Sequence, residues 1–325
     1  MSSERIGLQV RMVAALVGLA LVTVGFLAGV WTVFYGALLL FDVAFAAEAA
    51  GGITAITLVT VGYLEYRQLD TIERLADAHP VTREEAPELY ETATRVAAQL
   101  DVPAPTIAVS ERDAPEALAV GFRPSNVHLV VSLGTLDALD SNEELEAVLA
   151  HELAHVRNRD AMVMTVVSLP VILADGLGSR IAETEEVGWA AIVIIPLAFL
   201  STVAWAVGRT ISARLSRARE RAADRAAAEV TGSPAALASA LERLDRDIAE
   251  TPNRDLREVS GISSLSILPL EPEELEKVML GPEGETEPSY WWLETRLHRL
   301  ERYLFETHPP TEDRIESLAA SEREQ

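Results

Sequence analysis

The chain has 325 residues, 49% of them hydrophobic, no cysteine, and a formal net charge of −23 with a pI near 4.6. The length admits about two domains. The absence of thiols excludes disulfides and thiolate metal sites, so any metal must be held by histidine and carboxylate. At a charge this negative no nucleic-acid role is expected. Lys277 is the only lysine, and the carboxylates are dispersed rather than gathered into a tail that would bind a basic partner. Such a surface stays hydrated in concentrated salt, where screening removes its self-repulsion, so a halophilic source is expected.

Met12 to Phe41 carries no charged residue, more than the roughly 20 apolar residues that cross a bilayer. Asp42 and Glu48 interrupt, Gly51-Gly52 follows, and a second apolar stretch continues to Leu64. These segments read as a hairpin of two membrane helices occupying residues 1–66. A cleaved leader ending at Ala44-Phe45-Ala46 is the alternative, but the apolar run exceeds the about 7–15 residues of a signal core.

Residues 67–160 read as the first part of a soluble domain. Leu89, Ala93, Val96 and Leu100 give Glu84 to Leu100 helical periodicity. Thr106 to Ser110, Ala117 to Val120 and Val127 to Leu133 read as short strands, with turn signals at Pro115 and at Pro124-Ser125-Asn126. The next helix is announced by Ser141 as its cap and by Glu144 completing a capping box, with Leu145, Val148 and Leu149 as its apolar stripe.

A second hairpin is expected over residues 161–208. Ala161 to Ser179 is apolar apart from Asp175, and Val187 to Gly208 is uncharged. Pro170 and Pro196 would kink these helices, which membrane segments tolerate. A buried core helix is the other reading for the segment that Asp175 interrupts. Asp42, Glu48 and Asp175 are expected near membrane interfaces. Residues 209–325 read as the second part of the soluble domain, with helices at Ser216–Val230, Ala235–Glu250 and Tyr290–Glu306 and an acidic, proline-containing loop at Glu271–Pro288. No internal repeat is visible. The expected fold is mainly α with a small β-sheet.

Arginine placement orients the chain. Arg5, Arg11, Arg67, Arg157, Arg159, Arg209, Arg214, Arg217 and Arg219 flank the membrane segments on one side, against Arg180 on the other. The positive-inside rule puts the arginine-rich side, and the soluble domain with it, in the cytoplasm. The expected location is therefore the cell membrane, with about four spans.

The chemistry is concentrated in His151-Glu-Leu-Ala-His-Val-Arg-Asn-Arg-Asp160. His151 and His155 lie one turn apart on one helix face, which suits two ligands of a tetrahedral zinc ion, and Glu152 stands beside them to take a proton from zinc-bound water. Two histidines hold zinc poorly, so a third ligand is expected among His79, His128, His298, His308 and the carboxylates. Glu220 and Asp224 stand out in Ser216-Arg-Ala-Arg-Glu-Arg-Ala-Ala-Asp224, one turn apart on a helix that follows the second hairpin. Glu220 would be the ligand and Asp224 the carboxylate that orients a ligand imidazole. The competing reading makes both acids i,i+4 partners of the neighbouring arginines.

HELAHVRNRD, SRARERAAD and Thr307-His308-Pro309-Pro310-Thr-Glu-Asp-Arg314 together resemble the HtpX heat-shock endopeptidases, membrane zinc proteases related to the CAAX prenyl endopeptidases. The likeness follows the chain in order, hairpins included. It implies an integral-membrane gluzincin-type metalloendopeptidase with a cytoplasmic catalytic domain, acting on misfolded or membrane proteins in quality control and stress response. By this resemblance His151, His155 and Glu220 bind one Zn2+ per chain, and Glu152 is the base. His308 and Arg314 approach the active site to stabilise the oxyanion or position other groups. His79, His128 and His298 are left as structural or surface residues. Two positions depart from the family pattern: Arg221 where an aromatic follows the ligand glutamate, and Glu116 where Asn heads the strand leading to the protease helix. That strand, Ala117 to Val120, could receive a peptide by main-chain pairing. A prenyl-protein processing protease is the second enzyme reading and would need more than four spans. A zinc-stabilised adaptor that binds unfolded segments is the non-enzyme reading, and it would not need Glu152.

Overall fold

The structure is a computed structural model that describes residues 2–69, 78–120, 127–184, 188–250, 296, 300 and 303–323. In chain order its elements are α1 (Ser2–Leu40), α2 (Ala46–Leu69), β1 (Ala78–Pro80), α3 (Pro87–Gln99), β2 (Thr106–Ser110), β3 (Ala117–Val120), β4 (His128–Ser132), α4 (Leu133–Ala138), α5 (Asn142–Asn158), α6 (Asp160–Ala182), α7 (Ala191–Thr231), α8 (Pro234–Glu250) and α9 (Thr311–Glu322). The chain divides into one unit of Met1–Glu73 with Val163–Leu215 and a second of Arg74–Met162 with Ser216–Gln325.

The described residues of the first unit are helical apart from the turns at 41–45 and 183–184. Among the described residues, four helices are long and apolar enough to cross a membrane: Val10–Leu40, Ala46–Leu64, Asp160–Ala182 and Gly188–Thr231. A helix satisfies every backbone group within itself, which is why such apolar sequence folds this way in lipid. Asp42 and Phe45, with φ of 53° and 58°, make the tight turn between α1 and α2. Phe26, Val30, Ala174, Leu177, Leu197 and Ala204 form the unit's buried core. The bare backbone of Gly29 lets Leu200 of α7 pack closely against α1; a β-carbon there would stand 2.7 Å from Leu200 Cδ2, and that side chain would have to shift. Between membrane helices this closeness supplies the dispersion contacts that hydrophobic transfer cannot. α6 and α7 run through Pro170 and Pro196 as single elements.

The helix expected at Ser216–Val230 is not separate. It is the continuation of α7, a 41-residue helix of which about 20 residues are needed to cross a bilayer. The remainder carries the charged motif into the second unit without a loop. Of the other expectations, Tyr290–Glu306 and Glu271–Pro288 lie largely outside the described residues, and α9 had no counterpart in the sequence reading.

The second unit is built on a four-stranded sheet in the order β1-β2-β4-β3. β2 and β4 are parallel, with Thr106 opposite His128, while β1 and β3 pair antiparallel on either side. Among the described residues β3 is therefore an edge. The three-residue β1 was missed because Ala78-His79-Pro80 has neither alternation nor β-formers. α3 begins at Pro87 rather than Glu84, because the residue before a proline is disfavoured in the helical region and Ala86 stands at ψ 64°. Leu89, Ala93, Ile107, Leu129, Val131 and Leu149 join α3, the sheet and α5 into one core. Each leucine buried there contributes about 1.5–3 kcal/mol. Gly134, after β4, would put a β-carbon 1.9 Å from the Asp113 carbonyl oxygen, so no larger residue fits.

α5 starts as its sequence requires, with Ser141 Oγ accepting from the Glu144 N–H at 3.2 Å. The capping box closes one residue early: Glu144 Oε2 accepts from Asp140 N–H at 2.8 Å instead of from Ser141. Its other oxygen takes Ser239 Oγ at 2.6 Å and Arg243 Nε at 3.0 Å, which draws the acid toward α8 and explains the shift.

Candidate metal centre

α5 ends at Arg159, whose φ of 57° is left-handed and whose N–H returns to the carbonyls of His155 and Val156. α6 begins at the next residue, Asp160. The turn folds Asp160 back on the last turn of α5, and Oδ2 lies 2.5 Å from His155 Nδ1. The C-terminal part of α7 packs beside α5 through Ala154, Ala223 and Ala226, small residues that leave room for the polar groups one turn away.

Those groups converge. His151 Nε2 and His155 Nε2 are 3.1 Å apart, and each is 3.4 Å from an oxygen of Glu220. The ligand atoms of the three residues lie within 4.8 Å of one another. A tetrahedral ion with bonds of about 2.0–2.2 Å spaces its ligands at roughly 3.3 Å, so this set fits a small divalent cation. His151 is fully buried, Glu220 is 6% exposed, and both imidazoles turn Nδ1 away from the shared point toward a carboxylate. That leaves Nε2 of each ring facing the shared point.

Asp224 Oδ1 stands 3.0 Å from His151 Nδ1, the place expected for an orienting carboxylate. Burial works against a charged His151, but Asp224 and Glu220 outweigh it and raise its pKa to about 9. The excess negative field at the imidazoles is the field a bound cation would neutralise. Arg314, from the first turn of α9, grips Asp224 through Nε at 3.0 Å and Nη2 at 2.6 Å, and Nη2 lies 3.8 Å from Glu220. His308 is 3% exposed, with Nδ1 3.7 Å from Glu220 Oε2, and neither ring nitrogen has a hydrogen-bond partner among the described residues. Arg217 Nη1 donates to the Glu306 carbonyl at 2.5 Å and so ties α7 to the segment that carries His308.

Glu152 is 2% exposed, and burial pushes its carboxyl up to about 7. Oε2 accepts from the Ala119 N–H at 3.1 Å, while Oε1 has no hydrogen-bond partner among the described residues. Ala119 belongs to β3, an edge strand of the sheet among the described residues, so the acid is held against that edge. Glu116 at the head of β3 is fully buried, with Arg112 Nη1 at 3.2 Å, and Arg221 faces outward on α7. His79 and His128 are exposed strand residues, and His298 lies outside the described residues.

Two residues at the centre were missed by sequence reading. The sequence alone assigns Asp160 no role within the motif and marks Arg219 only as a charge flanking the membrane segments. Arg219 forms an ion pair with Asp160 and donates to the Asn158 carbonyl at 3.2 Å. The signal available was Asp160 five residues beyond His155, one position past the reach of the helix, which becomes meaningful only once Arg159 turns the chain.

The profile of peptidase family M48 matches residues 83–322. A protease HtpX homolog of Moorella thermoacetica is 34% identical over 275 residues, 81% of this chain and 85% of that one. Protease HtpX homolog 1 of Streptomyces coelicolor is 40% identical over 196 residues, covering 58% of this chain and 64% of the relative. Protease HtpX homolog 2 of Methanosarcina acetivorans is 37% identical over 199 residues, covering 59% and 66%. In the last two matches the chain spans just under two thirds of the relative's length. Among solved structures, S. mikatae Ste24p aligns with a TM-score of 0.46 and 16% identity over 84% of this chain and 63% of that one. With the profile spanning most of the chain and a relative matched along most of both lengths, this multi-pass membrane protein belongs to peptidase family M48.

Proposed function

We propose that the protein is a zinc-dependent endopeptidase of the cell membrane, acting from its cytoplasmic side on misfolded or membrane proteins in quality control under stress. The observation that carries the reading is Glu152 beside the His151, His155 and Glu220 cluster, buried and with one oxygen unengaged. One Zn2+ would be held by those three side chains, with Asp224 orienting His151. Bound there, zinc supplies Lewis-acid polarisation of water and of the scissile carbonyl.

The chain's own groups do the rest. The substrate extends along the β3 edge, where main-chain pairing selects for an extended backbone rather than for one side chain. Glu152 Oε1 accepts the proton of the attacking water and later delivers it to the leaving amine, and its elevated pKa suits both transfers near neutrality. His308, whose ring nitrogens have no hydrogen-bond partner among the described residues, donates to the oxyanion. Arg314 is occupied by Asp224 on two of its nitrogens, which supports a positioning role over direct contact with substrate. The cytoplasmic orientation is supported by the arginine bias, and the halophilic reading by the dispersed acidic charge with a single lysine.

Digestion of casein and of a destabilised membrane protein by the purified chain, with and without chelator, tests the reading. Cleavage that chelator abolishes and zinc restores is the expected result. Undiminished cleavage in chelator would end the zinc assignment, and absence of cleavage at full zinc loading would favour a binding role.

A further inference from the structure

The candidate centre contains two parallel chains of contact. His151 Nδ1 meets Asp224, which is gripped by Arg314; His155 Nδ1 meets Asp160, which is paired with Arg219. We propose that Asp160 and Arg219 are a positioning pair that holds His155 in its metal-binding tautomer and sets the strength with which the centre holds its cation. The proposal rests on the zinc reading above.

The first argument is tautomeric. A neutral imidazole that ligates through Nε2 must carry its proton on Nδ1, and an acceptor at 2.5 Å fixes both that proton and the plane of the ring. His155 needs this more than His151 does. His151 is fully buried and clamped by packing, whereas the His155 side chain is 20% exposed and stands on the last turn of α5, where a helix frays.

The second argument is charge. Asp160 is 6% exposed, and a buried carboxylate without a partner is expensive. Arg219 neutralises it, as Arg314 neutralises Asp224. With both pairs balanced, Glu220 is the ligand carboxylate that faces the cation, and Arg314 Nη2 stands 3.8 Å from it. Losing Arg219 would leave an unbalanced negative charge beside His155 and unfix the carboxylate.

The third argument is the cost of keeping Arg219. Its side chain is 5% exposed, yet Nε and Nη1 find no hydrogen-bond acceptor among the described residues. A guanidinium retained with two buried donors unmade is poor value as a fold stabiliser. It is well placed for one purpose: being adjacent in sequence to Glu220, it links the α5–α6 turn, through Asp160 and the Asn158 carbonyl, to the very turn of α7 that supplies the third ligand. The two halves of the metal centre are thereby locked in register.

The test is zinc affinity of the full-length protein in detergent, stripped of metal and titrated against a chromophoric chelator. Asp160→Asn, which keeps size but loses the charge, should raise the zinc dissociation constant by about 10–100-fold. Arg219→Gln should raise it several-fold, and Arg219→Lys, which keeps the charge, should recover part of that loss. Melting of the metal-free protein is read in parallel, because a merely structural pair would lower it and leave affinity per folded molecule unchanged. Affinities within twofold of wild type for both Asp160→Asn and Arg219→Gln overturn the proposal; if Asp160→Asn does not fold, Arg219→Gln against Arg219→Lys decides alone. Glu220→Ala is the control: a normal affinity in that variant overturns the zinc site itself and the positioning pair with it, whereas a loss there alone overturns only the pair.

Discussion

Asp224 Oδ1 lies 3.0 Å from His151 Nδ1 while both oxygens of Asp224 are held by Arg314. One carboxylate thus connects α5, α7 and α9, three elements that are far apart in the chain. Because Arg314 fixes Asp224 bidentately, the carboxylate has little freedom to follow a misplaced imidazole, and His151 is oriented by a rigid partner. Glu220→Ala should therefore empty the centre of zinc, and Asp224→Ala should weaken it by about 10–100-fold. Metal analysis on the purified variants decides this, and full occupancy in Glu220→Ala would point to His308, 3.7 Å from Glu220, as the third ligand.

Glu152→Gln should keep zinc and lose nearly all peptidase activity. The amide preserves the side-chain size and can still accept from the Ala119 N–H, but it cannot take a proton from water. The loss is expected at about 10²–10⁴-fold or more, the usual contribution of a general base. Wild-type turnover by a zinc-loaded variant would sink the assignment and revive the adaptor reading.

What the sequence reveals here is what is local. His151, Glu152 and His155 are placed by helical spacing alone, and Ser141 by its capping chemistry, so both are legible without a fold. The apolar runs announce the membrane helices because length is the only requirement. Asp160 was illegible because its meeting with His155 depends on a left-handed Arg159 that ends the helix, a conformation no propensity rule assigns to arginine. The pairing of Arg314 with Asp224 joins residues ninety positions apart, and no periodicity connects them. The edge position of β3 is likewise a matter of strand order: β2 pairs parallel with β4, leaving β3 outside although it precedes β4 in sequence. Long-range order decides these features.

Glu116 offers a test of stability. It is fully buried, and burial raises its pKa above the ordinary 4.5 despite the opposing Arg112. A carboxyl whose folded pKa is raised stabilises the fold below its unfolded pKa and loses that contribution as pH rises through the folded value. Glu116→Gln should accordingly melt a few degrees higher than wild type near neutral pH, with the gap closing as pH falls toward 4.5. Melting curves of the two proteins across that range check it, and a variant less stable at pH 7 would mean that the Arg112 ion pair outweighs the burial cost.

Under the positive-inside rule, the arginines that flank the spans on one side predict that the soluble unit faces the cytoplasm. The chain has no cysteine, so single reporters can be introduced without background. Glu91, exposed on α3 of the catalytic unit, and Glu183, exposed just after the end of α6, are suitable positions. An impermeant maleimide applied to intact cells should label Glu183→Cys at once and Glu91→Cys only after permeabilisation. Both substitutions are at the surface and leave the metal centre untouched, so zinc content and cleavage serve as controls for folding. Labelling of Glu91→Cys from outside intact cells would invert the topology and place proteolysis on the opposite face, where substrates would be secreted rather than cytoplasmic.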